Sequence, residues 1–594
     1  MGLGDVSLAC VAALVDALVE GGVRHACVSP GSRSTPLALA LARDGRLVVH
    51  VHLDERSACF FAVGLTAATG APVAVACTSG SAAAECFPGV VEASQSRRAL
   101  VVLTADRPPR LRGTGANQTI DQTNLYGRYA RAYLEPPVPA SPHDANAWHD
   151  AGRRAVETAT GPVPGPVHVN APFDEPLVPE AGRVPAVARP TRAGTHAAPE
   201  ADLSTTRTAV EAFVERYAGR RGVVTIGSAP APRTLSLLSL GELLGWPVLA
   251  EPLSGLRLDA GGAGRALAAG QFLIGDEWRQ QHRPEVVLQA GAAPTTRATQ
   301  AMVADADRLV VLDRLHLDPD PEQRAEHRIH LDPEVFAGVA WDAYATDRPA
   351  APEGWLEAWT RADLLARATV DRTLDRWGEP FEGRVARDVA SFVPHGSILC
   401  VGSSSPVRDL DAFMQPRRVP RIWTERDLVR VIANRGASGI DGWVSTMLGV
   451  AAADAGPTYG VLGDLTLLHD AGGLLWSNRS DVDAVLVVLS NGGGEIFSLL
   501  PQRELPEHRE LFVTPHGVDI EALCRAAGAS HHGVERSAEL IGALERAAAR
   551  PGIDVVEVMI DPELGRDRRA EVRAAVANAL AGRKAPRPGP DRSG

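Results

Sequence analysis

Lysine is all but missing. Of the 60 basic residues in this chain of 594, only Lys584 is a lysine, and it lies in a Pro/Arg-rich tail. A phosphate-cradling P-loop needs its lysine and a Schiff-base enzyme needs a buried one, so both classes drop out. Cysteine is sparse too: the seven cysteines form no CxxC pair. They sit in apolar runs, the usual setting of free thiols in a reducing cytosol, which argues against a disulfide framework. The chain has no GxGxxG after a strand-like run, no GxSxG elbow, no HExxH and no Cys/His cluster at zinc spacing. It also lacks any apolar run near 18 residues, so no span is expected. The N-terminus has no basic stretch. Asp5, Asp16 and Glu20 punctuate the pattern Leu8, Val11, Val15, Leu18, which predicts a helix capped at Ser7 rather than a signal peptide. A net charge of −12 gives no global basic field for nucleic acid. A soluble cytoplasmic protein is expected.

What is present is a repeated alternation. Short valine-rich runs, each followed by a longer helical pattern, occur at Val23–Val28, Leu47–Val51, Val73–Cys77, Leu100–Leu103 and Val167–Val169. They continue at Val223–Ile226, Val248–Ala250, Val286–Gln289 and Leu309–Leu312, then at Ile398–Val401, Val429–Ile432, Tyr459–Leu462, Ala484–Leu489 and Val555–Met559. Continuous apolar strands are buried on both faces, which means parallel sheets covered by helices and an α/β class throughout. Proline-rich breaks at Asp174–Ala201 and Thr346–Gly354 divide the chain. The expected units are 1–185, 200–345 and 360–582, with a disordered tail at 583–594. The adjacent pair His531-His532 reads as a solvated loop.

Four segments place polar and glycine residues directly after an apolar strand, where open α/β sheets carry their sites. They are Ser29–Pro36, Leu53–Arg56, Cys77–Ser81 with Thr104–Pro109 and Gly113–Gln122, and Gly463-Asp464-Leu465 with Ser490–Glu495. The last pair is the most informative. Asp464 and Asn491 stand 27 residues apart at the ends of successive strands, and a glycine backbone offers a carbonyl beside them. That donor set suits a hard octahedral cation that also binds phosphate.

These residues resemble the diphosphate-metal motif of thiamine-diphosphate enzymes. The runs VSPGSRSTPLALA, LDERSACFFAVGL, LTADRPPRLRGTGANQTIDQ, NRGASGIDG and GEIFSLLP are similar, more narrowly, to the 2-succinyl-5-enolpyruvyl-6-hydroxy-3-cyclohexene-1-carboxylate synthase family. The resemblance implies three open parallel-sheet domains: pyrimidine-binding, central and diphosphate-binding. It implies thiamine diphosphate with Mg2+ or Mn2+, shared between two subunits of a homodimer or tetramer. It implies decarboxylation of 2-oxoglutarate and transfer of the succinyl unit to isochorismate, in menaquinone biosynthesis. The alternative is an acetolactate-synthase-like enzyme acting on pyruvate.

By this resemblance Glu55 hydrogen-bonds the aminopyrimidine, Asp464, Asn491 and the Gly493 carbonyl hold the metal, and Ile440 wedges the bent cofactor. Thr78, Ser404 and Ile496 join the cofactor contacts, and Ile496, Phe497 and Leu500 the apolar surround. Ser32, Arg33, Arg107, Gln118, Arg297, Ser404, Arg408 and Arg435 match substrate positions, with Arg33 and Gln118 also catalytic. Arginine suits dicarboxylic substrates because its planar fork binds carboxylate bidentately and keeps its charge. Three departures stand out: Leu465 replaces the glycine usual in the wider superfamily, Arg297-Ala298 replaces a Lys-Arg pair, and Phe413–Arg430 is long and arginine-rich.

Overall fold

A computed structural model describes residues 2–180, 203–228, 235–261, 264–274, 276–315, 319–419, 424, 427–453, 455–477 and 482–582. The expected linker from residue 181 onward and the tail 583–594 lie outside the described residues. Three six-stranded parallel sheets follow one another along the chain. Every expected strand forms, most because the apolar run is buried on both faces: Val73–Cys77 and Leu100–Asp106 are buried at every position, whereas the edge strand Val48–Val51 is not.

The first sheet runs Val48–Val51, His25–Val28, Val73–Cys77, Leu100–Asp106, Val167–Pro172, Tyr133–Leu134 in space. The third runs Arg430–Ile432, Ile398–Val401, Thr458–Gly463, Ala484–Ser490, Ile553–Met559, Ser530–Val534. Numbered locally, both have the order 2-1-3-4-6-5. The central sheet is different: Ala266–Leu267, Val248–Ala250, Gly222–Ile226, Val286–Ala290, Arg308–Leu312, Ala325–Ile329, a local 3-2-1-4-5-6 order.

The first and third sheets share one core. Helix Glu55–Thr69 from the first region lies directly on helix Trp443–Ala452 from the third, and Cys59, Phe61, Trp443, Met447, Leu467 and Leu486 belong to one buried cluster. The helices touch backbone to backbone: a Cβ on Gly64 would stand 1.9 Å from the Thr446 carbonyl oxygen, so only glycine permits the crossing. Trp443 is 2% exposed at its centre, and Trp443→Ala would cost about 3–5 kcal/mol. The other face of the first sheet buries helix Leu3–Glu20 and helix Ala145–Ala159. Helix Pro562–Leu580 returns to pack on helix Trp355–Leu374, and both contribute to a core of the central sheet.

Two expectations are corrected. The first helix starts at Leu3, so Ser7 is a buried helical residue rather than its cap. Starting earlier lets Val6 and Leu8 join the core below. His531 and His532 lie on strand Ser530–Val534 and meet Glu557 Oε2 at 2.9 Å and Asp554 Oδ1 at 2.7 Å. Carboxylates on the neighbouring strand make this polar run an edge strand.

Candidate active site

The carboxyl ends of the third sheet surround a cavity of about 190 Å³. Asp464 ends strand Thr458–Gly463 and is 1% exposed. Its Oδ2 accepts the backbone N–H groups of Asn491 (3.1 Å), Gly492 (2.8 Å) and Gly493 (3.1 Å). Its Oδ1 accepts that of Leu465 at 2.6 Å. One carboxylate thereby ties the ends of two neighbouring strands into a rim. Gly493 has φ +156°, and a Cβ there would meet the Val513 carbonyl at 2.2 Å, so no side chain fits. Asp464, Asn491 and Gly493 all line the cavity. Beside them the Glu382 carboxylate is buried, with Oε2 in an ion pair with Arg569 Nη2 at 3.5 Å. The hard oxygen donors of Asp464, Asn491 and the Gly493 backbone around one cavity fit a divalent cation.

On the opposite side, Ser404 precedes helix Ser405–Phe413 at φ +71°, a strained conformation for serine. That turn and the start of the helix, Ser403 to Pro406, line the cavity, an arrangement suited to diphosphate. Ile440, Ile496 and Phe497 supply apolar wall. Leu500 follows the same short helical turns, half-buried, and is not part of the cavity lining.

Three arginines gather nearby. Burial lowers the pKa of Arg408, and the proximity of Arg297 adds to it. Arg435 is lowered by burial and then by Arg408. Arg408 donates to the Ser404 carbonyl. Arg297 opens helix Arg297–Asp305 of the central region, exposed. Among the described residues none of the three forms an ion pair, so this cluster of like charge is built to receive an anion.

A second constellation sits on the first sheet. Asp54 caps helix Glu55–Thr69, accepting the N–H groups of Arg56 and Ser57, which leaves the Glu55 side chain free of that duty. Burial raises the Glu55 pKa. Arg107 donates to Ser79 Oγ at 2.7 Å and to the Asn117 carbonyl at 2.7 Å. Gln118, at φ +53°, donates from Nε2 to the Ser79 carbonyl at 2.9 Å. Arg33 donates to the Phe173 carbonyl, and burial followed by the nearby Arg107 lowers its pKa. Thr78 is buried against Gly31, and Ser32 is exposed at the head of its loop. No residue of this set lines the third-sheet cavity.

Comparison with known proteins decides what these halves are. Residues 9–125 match the family described as thiamine pyrophosphate enzyme, N-terminal TPP binding domain, and residues 421–558 its C-terminal TPP binding domain. The chain is 41% identical to a 2-succinyl-5-enolpyruvyl-6-hydroxy-3-cyclohexene-1-carboxylate synthase of Thermobifida fusca, over 97% of this chain and 99% of that protein. It is 40% identical to the synthase of Saccharopolyspora erythraea (96% and 98%) and 39% identical to that of Chloroflexus aurantiacus (96% and 96%). The chain belongs to the 2-succinyl-5-enolpyruvyl-6-hydroxy-3-cyclohexene-1-carboxylate synthase family. It is a thiamine-diphosphate enzyme.

Membership in this synthase family gives the two constellations a common purpose. Sequence reasoning found the residues after the strands but missed four acids and bases around them. Glu382 faces the cavity, and His516 Nε2 lies 3.3 Å from Asp464 Oδ2. Glu92 and Glu251 are buried, and the negative charge of each favours the protonated form of Arg435. Glu251 directly follows strand Val248–Ala250, so its place was open to the same reasoning, whereas Glu92, Glu382 and His516 follow no strand and are brought in by the fold alone. Among the described residues no helix is long and apolar enough to cross a membrane.

Proposed function

We propose that this chain decarboxylates 2-oxoglutarate and adds the succinyl unit to isochorismate. The products are 2-succinyl-5-enolpyruvyl-6-hydroxy-3-cyclohexene-1-carboxylate and CO2, in cytoplasmic menaquinone biosynthesis. The observation that carries this reading is the arginine set behind the Ser404 turn: Arg408 donates to the carbonyl of Ser404, which lines the Asp464 cavity, and Arg297 and Arg435 lie close enough to interact with its charge. Pyruvate has one carboxylate and needs no such cluster, whereas two dicarboxylic substrates bring up to four. The name that these relatives carry supports the same choice.

Asp464, Asn491 and the Gly493 carbonyl would hold Mg2+ or Mn2+, and the Ser404 turn the diphosphate. Thiamine diphosphate, when bound, supplies the nucleophilic carbon and the electron sink for decarboxylation. Glu55 hydrogen-bonds the aminopyrimidine and governs its protonation. Its upward pKa shift suits a group that must both hold and release a proton. Ile440 sets the cofactor's bend, and Ile496, Phe497 and Leu500 keep water from the reacting centre. Arg33, Arg107 and Gln118 receive substrate from the other side, held by Ser79 and by backbone carbonyls.

The unit is a homodimer in which Glu55 of the partner subunit completes each cavity. This accounts for a cavity lined from residue 382 to residue 497 only. It also gives cover to the apolar Val48, Val51 and Leu53, which are 54%, 48% and 62% exposed just before Glu55. Residues 1–185 form the pyrimidine-binding domain, 200–345 the central domain and 360–582 the diphosphate-binding domain. The test is CO2 release from 2-oxoglutarate with isochorismate, thiamine diphosphate and metal added or withheld in turn. Release should require cofactor and metal, and product should require isochorismate. Turnover of pyruvate in preference to 2-oxoglutarate would defeat the assignment.

A further inference from the structure

Glu92 lies on helix Phe87–Gln95 of the first region and is 2% exposed, yet its partners belong to the third region of the same chain. Its Oε1 accepts the N–H of Gly436 at 2.9 Å and its Oε2 that of Ala437 at 2.7 Å. These N–H groups follow Arg435 directly. The loop also lies flat on the end of that helix. A Cβ on Gly436 would stand 2.6 Å from the Ser96 nitrogen and 2.7 Å from the Glu92 carbonyl oxygen. Both carboxylate oxygens are used, in a water-poor setting where charge-assisted bonds to backbone are strong. Burial pushes the Glu92 carboxyl upward, and the two amide donors with Arg98 oppose that push.

We propose that Glu92 is a positioning residue that clamps Gly436 and Ala437, holding the adjacent Arg435 where it meets a substrate carboxylate. This rests on the function proposed above, in which Arg435 binds substrate and Glu55 serves the partner's cavity. Each first domain then has two duties. It lends Glu55 to its partner and, through Glu92, steadies the loop of its own chain.

The clamp is tested with Glu92→Gln, which keeps the size but cannot accept both N–H groups. The KM for at least one of the two substrates should rise about 10–100-fold, the loss typical of a reacting geometry displaced by about 1 Å. Half-saturation by thiamine diphosphate should move by no more than about threefold, because the diphosphate is held elsewhere. Trypsin should cut after Arg435 several-fold faster in the holoenzyme variant, a readout independent of turnover. Should this variant not fold, Gly436→Ala attacks the same contact from the loop side and should give the same KM and tryptic changes. Wild-type KM values and an unchanged tryptic rate in the folded variant would overturn the clamp.

Hybrid dimers then fix which cavity Glu92 serves. A dimer of one Glu55→Gln chain with one Glu92→Gln chain should keep one intact site, with wild-type KM and about half the activity. If Glu92 served the cavity that its own Glu55 enters, no site would show wild-type KM, and the assignment in its own chain would be wrong. Normal activity in the Glu55→Gln homodimer would instead count against the Glu55 reading and leave the tryptic test of Glu92 in force.

Discussion

The first and third sheets have one strand order, and their loops occupy equivalent places, yet they carry opposite chemistry. After the second local strand the first sheet presents Asp54-Glu55, while the third presents Asn434-Arg435. After the third local strand the first presents Thr78-Ser79-Gly80, and the third Asp464. A shared backbone geometry fixes where functional atoms go and leaves their identity to a few loop residues. In the proposed function the third sheet is the binding half, with one buried aspartate holding three consecutive N–H groups over a cavity. The first is the proposed activating half, with a glutamate freed from capping by its neighbour Asp54.

The division of labour predicts different failures on the two sides. The largest loss should come from Asp464→Ala. It removes both the proposed metal ligand and the hub of the 491–493 rim, so cofactor retention itself should fail. Titration of thiamine diphosphate by intrinsic fluorescence checks this, and unchanged affinity would refute the metal assignment. Chelation of the divalent cation in the wild type should reproduce that loss, with recovery on adding Mg2+.

Next comes the arginine cluster. Arg435→Ala should lower kcat/KM for the dicarboxylic substrates about 10²-fold or more, because a desolvated carboxylate would lose its charged partner. Cofactor affinity should hold. Arg33→Ala on the other half should behave alike, and wild-type kinetics in both variants would make these arginines mere surface charges.

The smallest effect concerns stability. On the first sheet, burial lowers the pKa of His50 and His52 to about 4, with His25 and His50 respectively adding to it. The unfolded chain binds these protons near pH 6.5, so the folded state loses stability as pH falls from about 6.5 toward 4. The cofactor-free protein should therefore melt lower at pH 5 than at pH 7, by about 2–4 kcal/mol of stability in all. His52→Gln should flatten that dependence, and a Tm independent of pH in the wild type would contradict it.

The strands were legible wherever both faces are buried, because a valine-rich run cannot be solvated. Tyr133–Leu134, Ala325–Ile329 and Ser530–Val534 were not. They are edge strands or end runs with polar residues, and His531 and His532 look like a loop until Glu557 and Asp554 pair with them. The site divides the same way. Glu55, Asp464 and Asn491 follow strands and could be placed from spacing and resemblance. Glu92 bonds a loop 344 residues on, Glu382 meets cavity residues from distant elements of its own region, and neither leaves a local pattern.

The central claim is that the third sheet holds the cofactor while Glu55 activates it. Glu55→Gln separates the two, since it keeps size and hydrogen bonding but alters the proton. The measurement is exchange of the cofactor's C2 proton with solvent deuterium in the holoenzyme, alongside thiamine-diphosphate affinity. Affinity should be nearly unchanged and exchange slower by about 10²–10⁴-fold. Exchange at the wild-type rate would mean that the activating carboxylate lies elsewhere and that the two halves do not divide the work in this way.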